Sequence, residues 1–203
     1  MKTLTKERLV SMTPQEALDL LKEGNQRFLY NQKADRNLLE QVNQTSTGQF
    51  PFAVILGCID SRVAPELVFD LGIGDVFSIR IAGNFVNEDI LGSMEFACKA
   101  IGSKQILVLG HTSCGAVQGA LDGVELGNLT QLVSKIKPAV DAAKSEFDQN
   151  SHPSVDQVAE INVNTTIDQI LQRSPILKEM LDNQEIGISG AMYDVASGKV
   201  SFL

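Results

Sequence analysis

Two short segments concentrate the residue types that bind metals or move protons. One is Cys58-Ile59-Asp60-Ser61-Arg62; the other is His111-Thr112-Ser113-Cys114-Gly115. Two thiolates and an imidazole form a soft to borderline donor set, which suits zinc. Three protein ligands leave a fourth tetrahedral position for water, the arrangement of catalytic rather than structural zinc. Asp60 follows Cys58 by two residues. In extended chain such positions face the same side, so its carboxylate can reach the metal or the water on it. The planar guanidinium of Arg62 matches a carboxylate bidentately and would hold Asp60 ionised and aimed.

The same residues admit plainer uses. Cys58 and Cys114 could be buried structural thiols. Asp60 could close a structural zinc as its fourth ligand. Cys114 could be a nucleophile with His111 as its base, though no orienting carboxylate is evident. Position favours a catalytic metal, because each segment directly follows a predicted strand. Phe52-Ala53-Val54-Ile55-Leu56 is a continuous apolar run, as a strand buried on both faces should be, and Ile106-Leu107-Val108-Leu109 is another. Ligands of open α/β sheets bind at the carboxyl ends of strands, where the strand order reverses. If these two strands are neighbours, Cys58 and Cys114 converge.

The rest of the chain supplies a scaffold for that arrangement. Thr13-Pro14-Gln15-Glu16 is a capping box that opens a helix running to about Asn31. Residues 32 to 50 are polar and read as irregular. Pro65 opens a short helix to about Asp70, Val76 to Ile79 is a strand, and residues 88 to 101 have helical spacing. Gly115 to Leu121 reads as a helix, and residues 128 to 182 as two or three longer ones punctuated by Pro138, Pro153 and Pro175. Ile186 to Tyr193 is a fourth strand, and Val200 to Leu203 pairs back antiparallel after the Ser197-Gly198 turn. The expected fold is therefore α/β. Its central sheet has four mainly parallel strands and an antiparallel edge strand, flanked by helices. Residues 1–203 form one domain, with residues 1–31 as a helical N-terminal arm.

Composition narrows the partners. With 17 Lys plus Arg against 25 Asp plus Glu, the net charge of −8 argues against nucleic acid and anionic membranes. No apolar run approaches the roughly 20 residues of a membrane span. Three cysteines make no disulfide framework, and the first residues lack the apolar stretch of a signal peptide, so a cytoplasmic location is expected. Cys98 lies on the apolar stripe of its helix and reads as core. Gly72-Ile73-Gly74 reads as a turn rather than a phosphate loop, because a strand follows it. Ser113 lacks the context of a hydrolase nucleophile.

From Gln49 to Leu121 the sequence resembles the β-class carbonic anhydrases. The resemblance is carried by Cys58-Ile59-Asp60-Ser61-Arg62-Val63, Pro65-Glu66, Gly74-Asp75-Val76-Phe77, Arg80-Ile81-Ala82-Gly83-Asn84, Gly92-Ser93-Met94-Glu95-Phe96 and Gly110-His111-Thr112-Ser113-Cys114-Gly115-Ala116-Val117. Gly24-Asn25-Gln26-Arg27-Phe28 fits as well. The resemblance implies reversible hydration of CO2 to bicarbonate by attack of zinc-bound hydroxide. Cys58, His111 and Cys114 would be the Zn2+ ligands. Asp60 and Arg62 would be the catalytic dyad, with Asp60 a fourth ligand in a closed form. Gln49, Phe77, Phe96 and Gly115 would line the substrate pocket, Phe96 standing where tyrosine is frequent. A homodimer is implied as the minimal unit, with a homotetramer as a larger form, and sites at an interface wrapped by N-terminal helices. A non-catalytic bicarbonate site of one subgroup uses Trp, Arg and Tyr. Here Arg80 and Tyr193 match, but Ile55 replaces the tryptophan, which puts inhibition through that site in doubt. His152 is the one histidine left to carry a proton and reads as a plain surface residue. Two other functions fit the same residues: a CS2 or COS hydrolase, and a non-enzymatic zinc-bound bicarbonate-binding protein.

Overall fold

A computed structural model describes residues 3–146 and 153–203 of the chain, so His152 lies outside the described residues. Five strands form one sheet: β1 (Ala53–Gly57), β2 (Val76–Arg80), β3 (Gln105–His111), β4 (Gly187–Tyr193) and β5 (Val200–Phe202). Their order is β2-β1-β3-β4-β5, with the first four parallel and β5 antiparallel to β4. The chain leaves β1 toward β2 on one side and returns as β3 on the other. The order therefore reverses between β1 and β3, and the register pairs Gly57 with Leu109. The segments that follow these two strands must meet.

Alternation within β1 and β3 explains why both strands are apolar throughout. Ala53, Ile55, Leu107 and Leu109 face one side, and Val54, Leu56, Ile106 and Val108 the other. The first face is covered by α1 (Lys6–Ser11) and α2 (Pro14–Leu29); their Leu9, Ala17 and Leu21, and Met12 between them, are buried in the same cluster. These N-terminal helices, expected as an arm, are thus part of the core of their own chain. The Gly24-to-Phe28 motif is the docking point. A Cβ at Gly24 would sit 1.9 Å from the Phe69 carbonyl oxygen, so α2 approaches that closely only with glycine. Buried Asn25 donates to the Val68 and Gly198 carbonyls and accepts from the Val200 N–H. Arg27 pairs with Asp70 at 2.6 Å.

The other face is covered by α5 (Glu88–Glu95), the π-helical turn Phe96–Ile101 that continues it, α9 (Val155–Arg173) and α10 (Pro175–Asp182). A third cluster packs α9 against α6 (Gly115–Leu121) and α8 (Lys137–Glu146), and it includes Cys58 and Cys114. Cys98 is in the core as expected, its thiol pushed up to about 12 by burial alone.

Two sequence expectations need correction. Residues 32 to 50 are not irregular: α3 (Leu38–Thr45) lies within them, capped by the Asn37 side chain. Its Leu38, Leu39 and Val42 face outward, so the helix has no buried stripe to announce it. Among the described residues, 127 to 182 hold four helices, α7 (Gly127–Ser134), α8, α9 and α10, rather than two or three. Pro138 and Pro175 sit in first turns, where proline opens a helix and its missing N–H costs nothing. Among the described residues no helix is long and apolar enough to cross a membrane.

Candidate metal centre

Cys58 directly follows β1, His111 ends β3, and Cys114 caps α6 (Gly115–Leu121). All three are buried, and their ligating atoms lie within 4.8 Å of one another. The two sulfurs are 4.0 Å apart. Zn–S bonds of about 2.3 Å at a tetrahedral angle would place them about 3.8 Å apart, so the pair needs almost no movement to share an ion.

The imidazole provides the sharper test. His111 Nδ1 is 2.9 Å from the Thr112 carbonyl, which can only accept, so Nδ1 carries the proton. Nε2 is then a bare lone pair, buried and with no hydrogen-bond partner among the described residues. An orphaned acceptor facing two thiols is costly in a core, and a metal ion satisfies it. The donor set and its geometry fit zinc.

The thiols behave as a pair. The hydrogen bond from Cys114 pulls the Cys58 thiol well below its ordinary value against the effect of burial, helped by the N–H groups of Gly83 and Asp60. Cys114 is pushed up correspondingly, because it supplies that proton and is itself buried. Cys98, where burial acts alone, shows no such pairing.

Asp60 stands outside this cluster, held by its neighbour. Its Oδ1 accepts from the Arg62 backbone N–H at 2.9 Å and from Nε at 3.0 Å, and its Oδ2 accepts from Nη2 at 2.8 Å. The guanidinium of Arg62 holds the carboxyl well below the usual carboxylate range, so it is ionised at any physiological pH. Arg62 also reaches the Ser113 carbonyl at 3.3 Å, tying the two ligand-bearing loops together. Gly115 begins α6 beside Cys114, with open space where a side chain would be.

The remaining pocket residues are elsewhere. Gln49 is exposed in the segment entering β1, at the opposite end of the strand from Cys58. Phe77 pairs in register with Val54, four positions before Cys58, or about 13 Å along a strand. It packs edge-on against Phe96 with centroids 6.2 Å apart, along the sheet edge formed by β2. A single chain therefore brings Cys58, His111, Cys114, Asp60, Arg62 and Gly115 together, and leaves Gln49, Phe77 and Phe96 apart from them.

Arg80 takes a place the sequence did not suggest. It donates to the carbonyls of Cys58 at 2.9 Å and Asp60 at 2.7 Å, bracing the first ligand loop. Ile55 is wholly buried in the α2-facing core. Gly83 was also missed: its N–H lies 3.4 Å from Cys58 Sγ. A glycine at φ +78 after a strand was the available signal.

Residues 53–200 match the family model described as carbonic anhydrase. Carbonic anhydrase 2 of Mycobacterium tuberculosis is 34% identical over 192 residues, covering 92% of this chain and 91% of the relative. The carbonic anhydrase of Mycolicibacterium smegmatis is 34% identical over 193 residues, covering 92% of each. Among solved structures, the β-carbonic anhydrase CafA of Aspergillus fumigatus superposes with a TM-score of 0.74 at 27% identity, covering 93% of this chain and 89% of that one. A structure described as one of two tetrameric β-carbonic anhydrases from Sordaria macrospora gives 0.71 at 25% identity, covering 81% and 89%. With its ligand cluster at the strand-order reversal and these matches along nearly its whole length, the chain belongs to the carbonic anhydrase family of enzymes, in the β class.

Proposed function

We propose that the chain catalyses reversible hydration of CO2 to bicarbonate and a proton at a zinc ion held by Cys58, His111 and Cys114. The observation that carries this reading is the buried cluster of two sulfurs and a partnerless Nε2, with Asp60 bound to Arg62 instead of closing the fourth position. When bound, zinc would lower the pKa of a coordinated water and so supply a nucleophilic oxygen near neutral pH.

The protein side of the chemistry follows from the geometry. Asp60 is ionised and therefore only accepts hydrogen bonds. It would accept a hydrogen bond from the attacking oxygen, which keeps its hydrogen and so turns a lone pair toward the substrate carbon. Arg62 fixes the direction of that acceptor through two parallel contacts. The Cys58, His111 and Cys114 side chains are themselves buried away from bulk water.

Gln49, Phe77 and Phe96 complete the pocket from a second copy of the chain in this reading. They are too far along the sheet to serve their own metal centre, and β2 is an edge strand with Phe96 53% exposed beside it. A homodimer is then the smallest complete unit, and a tetramer is a pair of such dimers. The whole of residues 1–203 acts as one domain. In this reading the protein works in the reducing cytoplasm, where its cysteines stay as thiols.

Stopped-flow CO2 hydration on protein with its zinc content measured tests the proposal. Catalysis above buffer is expected, and more strongly near pH 9 than near pH 7, because two thiolates cancel the charge of the ion and leave its water less acidic. Protein holding one zinc per chain that shows no catalysis at either pH overturns it.

A further inference from the structure

Helix α9 reaches the loop that carries His111 and Cys114, and the loop after β2 whose Gly83 touches Cys58, without supplying a ligand itself. Near its start, Asp156 Oδ1 accepts the Ser113 N–H at 2.7 Å. Ser113 lies between His111 and Cys114 in the left-handed region, at φ +54. Farther along, Asn162 is 2% exposed and donates Nδ2 to the Gly83 carbonyl at 2.8 Å. Gly83 is the residue whose N–H faces Cys58 Sγ. Just beyond Asn162 the helix presses onto β3 and β4. Cβ atoms built at Gly110 and Gly190 would come within 2.6 Å and 2.7 Å of the two Val163 methyls.

From these contacts we propose that Asp156 and Asn162 are positioning residues of the metal centre, setting its affinity for zinc by fixing Ser113 and Gly83. The inference rests on the zinc reading above. A serine in the left-handed region is strained and persists only where its surroundings insist on it. The two groups that hold the Ser113 peptides are Asp156 on the N–H and Arg62 on the carbonyl. Without Asp156 the backbone relaxes, and the direction from His111 to Cys114 changes with it. Gly83 has no side chain to grip, so its orientation is held through its backbone. Asn162 anchors the carbonyl, and the N–H is thereby kept on the Cys58 sulfur. Asn162 is also a lone amide among Val158, Ala159, Val163 and Ile170 on the buried face of α9, a costly choice unless its hydrogen bond matters.

The test compares Asp156→Ala with Asp156→Asn. Zinc affinity is read by competition with a chromophoric chelator, and the metal geometry by the sulfur-to-metal absorption of the Co2+-loaded protein. Thermal unfolding of the metal-free form controls for stability. Asp156 is exposed, so neither change disturbs the core. Outer-shell partners typically contribute 10–100-fold in metal affinity. Asp156→Ala should weaken zinc binding at least about tenfold and shift the Co2+ band, with the metal-free melting temperature unchanged. Asp156→Asn keeps an oxygen acceptor and should restore affinity and spectrum. Wild-type affinity in Asp156→Ala, or equal weakening in Asp156→Asn, overturns the role of Asp156. Asn162→Leu should weaken zinc to a similar degree, and unchanged affinity removes Asn162; if that variant does not fold, the Asp156 pair still decides the proposal. Wild-type protein that takes up no zinc would instead refute the metal reading itself.

Discussion

Adding one methyl group at Gly110 should destabilise the protein, and that cost should largely vanish where Val163 has already been trimmed. An alanine Cβ there would lie 2.6 Å from Val163 Cγ2 and 2.7 Å from Met192 Sδ. The methionine sulfur belongs to a flexible side chain and can move. Val163 cannot: it is wholly buried and β-branched on a helix, and its other methyl already fills the space over Gly190. Overpacking of this kind costs about 1–3 kcal/mol, while alanine regains about 0.5–1 kcal/mol over glycine in a strand. The clash wins, and Gly110→Ala should cost about 1–2 kcal/mol. Val163→Ala removes buried methyls and should cost about 2 kcal/mol by itself. Simple addition gives about 3–4 kcal/mol, but the double variant should cost only about 2, a coupling of at least about 1 kcal/mol. Urea unfolding of the metal-free protein, at one fixed chain concentration, measures all four species. Strictly additive losses would show that α9 does not bear on β3 next to His111 in the manner described.

Asp60→Asn should keep its zinc and lose roughly a hundredfold or more in stopped-flow turnover, the scale of a lost acid–base or orienting group; unchanged turnover refutes the role given to the carboxylate. Mixing subunits tests the shared pocket. Gln49→Ala chains, with an intact metal centre, and Cys58→Ser chains, with an intact Gln49, should each be impaired alone and recover activity when dissociated and reassembled together. Failure to recover in demonstrated mixed dimers places Gln49 on its own chain or nowhere. Two buried carboxylates, Asp70 and Asp75, should respond to pH in opposite ways. Burial pushes the Asp70 carboxyl up, but Arg27, the Ala34 N–H and Arg36 outweigh it and hold it below the usual range. Its stabilising effect is present above the unfolded value of about 3.9 and fades as pH falls through the folded one. Burial dominates at Asp75 and raises it, so its effect is favourable below about 3.9 and lost as pH rises through the folded value. Asp75→Asn should therefore gain melting temperature relative to wild type on going from pH 4 to pH 7, and a relative loss over that range contradicts the assignment.

What could be read from the sequence was whatever depends on near neighbours. An apolar run ending in Cys58, and another ending at His111, are enough to place a donor at each of two strand ends. Adjacency of β1 and β3 then does the rest, and that was a topological inference confirmed by the register. The partners of the ligand loops were not legible. Asn162 bonds to Gly83 across 79 positions, and Asp156 to Ser113 across 43, with nothing in either local pattern to link them. Asp156 in a first helical turn reads as an ordinary response to the helix dipole. Arg80 matched one motif but braces the Cys58 and Asp60 carbonyls. Helix α3 was missed because its apolar residues face outward, where burial gives no pattern. Spacing along one chain likewise carried no sign that Gln49 and Phe77 lie at the far end of the sheet from Cys58.

The central claim is that two sulfurs and one imidazole hold a single zinc ion and leave it one free position. X-ray absorption at the zinc edge, on protein loaded with one equivalent at neutral pH, addresses it directly. The shell should contain two sulfur neighbours at about 2.3 Å and two nitrogen or oxygen neighbours at about 2.0–2.1 Å. In Asp60→Asn the same four neighbours should persist, because the fourth is solvent. A shell without sulfur contradicts the account, and so does a fourth neighbour that disappears with the Asp60 carboxylate.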